Sequence, residues 1–283
     1  MVDLKALFED SRAPERIAKR LARAGVCSRR EAEKWIAAGR VKVDGAVLTG
    51  PAVLVTDASR VEVDGAPLPA VAPPRLWRFH KKRGLVTTDR DPDGRPTVFS
   101  ALPADLPRVI SVGRLDIDSE GLLLLTNDGG LARHLELPAT GWLRKYRVRV
   151  HGRVDPARLA GLAGGIEIDG VRYGAVQASL DSQAASNAWL TIGLREGKNR
   201  EIRRLMDHLG YRVNRLIRTS YGPFALGHLA VGTVDEVRRR VLREQLGLVV
   251  GDAGGQAPKK SAPARRKPPL KGAGDRAHRR RKS

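Results

Sequence analysis

The stretch Val112–Gly129, VGRLDIDSEGLLLLTNDG, decides how this chain is read. Asp116 stands two residues after Arg114, and Asp118-Ser119-Glu120-Gly121 reads as a loop leading into the apolar run Leu122–Leu125. That run is too short to span a bilayer and fits a strand buried on both faces. A carboxylate set where a turn meets a buried strand is held rigidly and partly desolvated, as a catalytic acid, base or nucleophile must be. Capping a turn is the ordinary role of such an Asp, so the rest of the chain has to decide.

With 283 residues the chain has room for two domains and a well-buried core. Lys and Arg total 52 against 31 acidic residues, a net charge of +21, which points to an anionic polymer and first to nucleic acid. The segment from Gly251 holds 11 cations and 2 acids, so +12 belongs to the rest, which is basic in its own right. Cys27 is the only cysteine, which excludes an internal disulfide and a Cys-cluster zinc site. The six histidines lack ligand spacing, so no metal is expected. Neither G-x-G-x-x-G nor G-x-x-x-x-G-K-S/T occurs, and no cofactor is expected. The opening MVDLKALFED carries charges inside any apolar core and is no secretory signal, and no stretch has the length of a membrane helix. These features predict a cytoplasmic, soluble protein, and with no dimer seam in the pattern, a monomer.

Composition divides the chain into a basic unit (14–65), a linker with four prolines (66–75, APLPAVAPPR), a long mixed region (76–248) and a Gly, Ala, Pro, Lys and Arg tail (249–283). The tail predicts disorder and non-specific attraction to RNA through Arg279-Arg280-Arg281-Lys282. In the first unit, Pro14 suits a helix start, Ile17, Leu21 and Ala24 recur at helical spacing, and Gly25 ends it. Arg16, Lys19, Arg20 and Arg23 lie on its other side with Glu15 the one acid nearby, an arrangement that favours phosphate contact over an ordinary mixed-sign surface. Ser28 and Glu31 form a capping box for a second helix, whose first turn adds Arg29 and Arg30 and which carries Ala32, Trp35 and Ile36 inward. Asp44-Gly45 between Val41–Val43 and Ala46–Leu48 signals a hairpin, and Val61–Gly65 repeats the pattern.

In the long region, strand-like runs occur at Trp77–His80, Leu85–Thr88, Leu122–Thr126, Tyr146–Val150, Gly165–Ile168, Gly174–Ser179, Ala188–Leu194 and Gly227–Val231. Helices are expected at Gly130–Glu136, Pro156–Leu162 and Asn199–Leu209. Strands without regularly alternating helices predict an α+β fold, with a mixed, largely antiparallel sheet flanked by helices.

Two further motifs join Asp116. In Arg144–Val150, RKYRVRV, alternation puts Tyr146, Val148 and Val150 on one face and Lys145, Arg147 and Arg149 on the other. An aromatic among cations suits stacking on a base with phosphates nearby, or else closes the edge of a core. In Arg195–Leu205, REGKNREIRRL, a helix begins after a Glu-Gly-Lys turn, with Ile202, Leu205, Met206 and Leu209 as its apolar stripe. At about 100° per residue, Arg203 flanks the stripe and Arg204 points nearly opposite. Arg203 is therefore expected to make a bidentate pair with Asp116, keeping it ionised and aimed, while Arg204 and Arg200 face solvent or phosphate.

GRLD around Asp116, KYRV around Tyr146 and NREIRRL around Arg203, in that order, resemble the three motifs of bacterial ribosomal RNA pseudouridine synthases, in the branch typified by the RsuA and RluB enzymes. The front unit resembles their S-four RNA-binding domain, and the likeness runs from about Pro14 to Leu246. Asp91–Phe99, DPDGRPTVF, is more similar to the large-subunit RluB type. The resemblance implies isomerisation of a uridine in ribosomal RNA without cofactor or metal: uracil leaves its ribose, rotates and rejoins through carbon-5. It implies that Asp116 is the nucleophile at the ribose or the base that yields a glycal, that Tyr146 stacks on the target base, and that Arg203 is the basic partner. A flipped-out base is implied too, with Arg114 a candidate to hold the nucleotide or fill the gap. Glu201 stands where relatives carry Gln, and Lys81-Lys82 where Lys-Pro is common, which is expected to loosen that turn.

Two other classes compete. A glycoside hydrolase would use a carboxylate pair from Asp116, Asp118 and Glu120, but 4% aromatic residues leave few sugar platforms. A non-catalytic ribosome-assembly factor would bind RNA through the front unit, with Asp116 structural.

Overall fold

Most of the front unit's core is filled from short elements, with Cys27 and Leu48 added from the connections. The computed structural model describes Phe8 and residues 13–248, so the segment expected to be a disordered tail lies outside the described residues. Strand β1 (Glu15–Arg16) leads directly into α1 (Ile17–Arg23), followed by α2 (Arg29–Ala37), β2 (Val41–Val43), β3 (Ala46–Val47), β4 (Leu54–Val55), β5 (Val61–Val63) and β6 (Ala66–Pro67). Ser28 and Glu31 cap α2 reciprocally, as expected. Asp44-Gly45 and Asp64-Gly65 turn the chain with positive φ at both residues, the geometry of tight hairpins. Ile17, Leu21, Ala32, Ile36, Val41 and Val55 form a core separate from the rest.

The long region builds one nine-stranded sheet. Its path runs β13 (Gln177–Gln183), β14 (Asn187–Leu194), β10 (Arg144–His151), β15 (Val213–Tyr221), β9 (Ser119–Thr126), β7 (Leu76–Lys81) and β17 (Val234–Val237), with β8 (Ile110–Val112) on β9 and β16 (Phe224–Ala225) on β15. All pairs are antiparallel except β9 with β15. A small hairpin, β11 (Ile166–Ile168) with β12 (Val171–Tyr173), stands apart from it. Leu123 and Leu125 face one core and Leu122 and Leu124 the other. Each contributes about 1.5–3 kcal/mol by leaving water. Helix α5 (Glu201–His208), with α4 (Pro156–Ala160), packs on the first core, and α3 (Gly129–Glu136) with α6 (Arg239–Gln245) on the second.

Several expectations are corrected. The supposed loop before Leu122 is already strand, because β9 begins at Ser119 and is buried throughout. Gly121, at φ +100°, lets β15 come close: a Cβ there would lie 2.3 Å from the Arg218 carbonyl oxygen. Leu85–Thr88 makes only a bridge from Val86 to Thr97, and Gly227–Val231 is not a strand. Of Gly174–Ser179 only Gln177 onward is strand. β15, β17 and α6 were not expected; β15 mixes charged and apolar residues because it runs inside the sheet beside the site. Pro14 lies outside α1, and Ala66–Pro67 pairs with β5, so the linker is shorter than composition suggests.

Candidate active site

The loop carrying Asp116 is pinned almost atom by atom. Thr87 Oγ1 bonds the Leu115 N–H at 3.3 Å and donates to its carbonyl at 2.8 Å. Gly84 N–H reaches the Ile117 carbonyl at 2.8 Å, and Ser119 N–H closes a turn onto the Asp116 carbonyl at 3.0 Å. Beneath it, the Lys81 ammonium donates to the carbonyls of Asp116 (3.0 Å), Ser119 (2.8 Å) and Lys82 (3.2 Å). Lys81 is fully buried. Burial pulls its pKa down to about 8, against the pull of Asp116, Asp118 and Glu120 toward the charged form. These bonds fasten the Lys81-Lys82 turn. A buried cation is tolerable here because each N–H has an acceptor.

The Asp116 carboxylate stays one-third exposed, and its nearest cation is Arg200, with Nη1 4.0 Å from Oδ2. Arg200 holds a left-handed backbone (φ 52°) immediately before α5, an uncommon conformation for a non-glycine residue. The expected bidentate pair between Arg203 and Asp116 is absent. Arg203 instead donates to the carbonyls of Asp118 (3.3 Å) and Val213 (3.4 Å). It sits in the first turn of α5, where those two backbones take up its reach. Burial, then Arg200, lowers its pKa in spite of Asp118 and Asp116 nearby. Arg203 braces the loop, and Arg200 faces the carboxylate.

Tyr146, buried at 8%, stands where β10 shifts register against β15. Asp116, Tyr146, Arg114 and Arg200 border one cleft of ≈ 790 Å³, and Leu194, Ile202 and Leu216 give it apolar walls. Arg114 is exposed at its rim; Arg204 is exposed on α5. Residues that the sequence reading missed complete it. Arg218 is buried, gives Nε to the Leu122 carbonyl at 2.7 Å, and among the described residues has no hydrogen-bond partner for Nη2. Arg144 donates to the Tyr221 hydroxyl at 2.9 Å and to the Arg195 carbonyl at 2.9 Å. Lys81 was visible in principle: it shares the parity of buried Trp77 and Phe79 on β7, an unusual place for a cation. Of the three carboxylates a glycoside hydrolase could draw on, Glu120 is already held by Arg215 at 2.8 and 3.0 Å.

The cationic face of α1 is also corrected. Glu15 is buried, and Lys19 (3.2 Å), Arg20 (3.9 Å) and Arg23 (2.8 Å) gather around it, with Arg20 also on Asp57. These three cations first neutralise an internal acid, which spacing alone did not reveal. Arg16, Arg29 and Arg30 remain exposed. Arg29 borders a second cleft of ≈ 430 Å³ together with Arg108 and Arg133, and Ser111 and Glu136 border both clefts.

A basic chain with a separate small front unit, and a sheet whose cleft is bordered by a carboxylate and a buried tyrosine, has the layout of an enzyme that acts on RNA. Residues 75–208 match the family RNA pseudouridylate synthase, and residues 15–65 match the S4 domain. An uncharacterised RNA pseudouridine synthase of Rickettsia felis is 46% identical over 230 residues, covering 81% of this chain and 100% of the relative. A ribosomal large subunit pseudouridine synthase B of Salmonella typhi is 41% identical over 218 residues, 75% of each chain. A crystal structure of a pseudouridylate synthase superposes with a TM-score of 0.56 at 25% identity, covering 83% of this chain and 99% of that one. The chain belongs to the RNA pseudouridine synthase family.

Proposed function

We propose that this enzyme converts one uridine of large-subunit ribosomal RNA to pseudouridine, with Asp116 as the reacting carboxylate. The observation that carries this is the Asp116 loop. Its backbone is fixed by Lys81, Thr87 and Gly84 while its carboxylate opens into the cleft that Tyr146 borders. In the isomerisation the N1–C1′ bond breaks, uracil turns, a C5–C1′ bond forms, and the proton leaving C5 is balanced by one gained at N1. An ionised Asp116 serves as nucleophile at the sugar or as base toward a sugar proton, and Arg200 stabilises that charge. The Tyr146 ring, backed by Val148 and the apolar walls, stacks on the base, which must leave its helix at a cost of a few kcal/mol. Arg114 at the rim holds the flipped nucleotide.

The kinship to the Salmonella typhi large-subunit enzyme supports the choice of subunit. We read residues 14–65 as the RNA-binding domain and 76–248 as the catalytic domain. Arg29, Arg108 and Arg133 line a path for phosphates from one toward the other, with Arg16, Arg30 and Arg204 adding outer contacts. Ribosomal RNA as substrate makes the cytoplasm the site of action. Mapping pseudouridines in ribosomal RNA from cells with and without the protein tests this. One large-subunit position is expected to revert to uridine; an unchanged map would instead favour a non-catalytic assembly factor.

A further inference from the structure

Glu201 is the most enclosed carboxyl bordering the cleft, only 4% exposed. It opens α5, its Oε2 accepts the Lys198 N–H at 2.9 Å, and its own N–H returns to the Lys198 carbonyl at 3.2 Å. Its Oε1 is buried and has no hydrogen-bond donor among the described residues. The neighbouring carboxyl on the same turn is that of Glu196, tied like Glu201 to Lys198: it accepts the Gly174 N–H at 2.8 Å and meets the Lys198 ammonium, while the Lys198 N–H goes to Glu201. Two ionised carboxylates facing each other are both acceptors, and a buried charge with an unmatched oxygen is expensive. One proton between them removes both penalties.

We propose that Glu201 and Glu196 share one proton as an acid–carboxylate latch, and that this latch holds the Arg195–Arg200 turn so that Arg200 faces Asp116. Glu201 is a positioning residue and does not touch the substrate. The inference rests on Asp116 being the reacting carboxylate. Burial, with Glu196 adding to it, raises the Glu201 pKa to about 7. For Glu196 burial pulls upward, but the bonds from Lys198, Gly174 and Glu201 win and lower its pKa. The other charged groups around the pair are few. Lys198 lies on the same turn, with its ammonium 5.6 Å from the Tyr173 ring centroid of β12. Arg144 of β10 bonds the Arg195 carbonyl, and Arg195 bonds the Gly141 carbonyl. Arg200 follows at the helix entry, and exposed Arg204 lies on α5. Above the shared pKa the proton goes to solvent, two negative charges meet in the wall, and the turn loosens. A Gln at 201 donates its amide to Glu196 at every pH.

The test is the pH profile of kcat/KM on an RNA substrate for wild type, Glu201→Gln and Glu196→Gln. Between about pH 5.5 and about pH 7.5, wild type is expected to lose about fourfold in kcat/KM as the latch proton leaves. Both variants are expected to stay flat over that range, because either amide supplies the missing donor. A basic limb near 7 that persists in Glu201→Gln overturns the latch, as does a wild-type profile with no such limb. Glu201→Asp, which keeps the acid but shortens its reach, is expected to lower kcat/KM below both Gln variants; equal activity counts against it. If Asp116→Asn retains turnover, the reading of the reacting carboxylate fails, separately from the latch.

Discussion

Two buried ionisable residues give this protein opposite stability slopes with pH. Lys81 releases its proton at about 8 when folded, whereas its ordinary value is 10.5. Between those values the folded state binds fewer protons than the unfolded chain, so stability from this group rises with pH through that window, and the cost of the buried charge is complete below it. Glu201 does the reverse. Its folded value of about 7 lies above the ordinary 4.5, so the folded state binds more protons in between and stability falls as pH rises from 4.5 to 7. Glu201→Gln lacks that penalty and is expected to melt above wild type at about pH 8, with the gap closing toward about pH 4.5; a constant gap across melts in that range would contradict it. Lys81→Met leaves three carbonyls without their donor, each costing about 1–3 kcal/mol if nothing replaces it, and is expected to lower both melting temperature and kcat/KM. At this scale the sequence singled out Asp116 and Tyr146 through motif and parity, and both border the cleft. It concealed the partners. Arg203 was assigned the carboxylate by helix-wheel direction, yet Asp118 and Val213 backbones intercept it, and Arg200, outside the helix, faces the acid. Such competition depends on elements far apart in the chain.

At the scale of elements, the parallel crossing of β9 and β15 is what brings the Asp116 turn beside the strand carrying Arg218. Gly121 pairs with Arg218 at its end. A Cβ there meets backbone at 2.3 and 2.7 Å at φ +100°, and backbone cannot swing aside as a side chain does. Gly121→Ala is expected to destabilise by about 1–3 kcal/mol from overpacking alone, read as a lower melting temperature, with activity lost before the fold is. A variant as stable and active as wild type would mean that the crossing is looser than described. β10, β14 and α5 were legible because their residues alternate or recur with one period, and the second half of β9 because Leu122–Leu125 is an unbroken apolar run. β15 was not, since VNRLIRTSY places Arg218 inward and Ile217 toward the edge of the second core. A strand beside an active site breaks the binary pattern for the sake of the site.

The whole molecule joins a small unit matching the S4 domain to a sheet whose cleft is bordered by Asp116 and Tyr146. Arg29 of the former and Arg108 and Arg133 of the latter share one cleft bordering the other. Replacing these three with Ala is expected to flatten the salt dependence of RNA affinity by about 0.7 in log–log slope per lost contact on single strands. kcat at saturating short substrate should survive, and its collapse would contradict the division of labour. The basic character was legible at this scale from charge alone, but the buried Glu15 shows why charge counts do not assign contacts: three cations of α1 serve the interior first. The central claim concerns one carboxylate. RNA carrying uridine tritiated at carbon-5 releases its label when the new bond forms, so wild type and Asp116→Asn can be compared directly. The variant is expected to bind the RNA as wild type does and to release tritium slower by about 10³-fold or more; release at the wild-type rate would contradict the account.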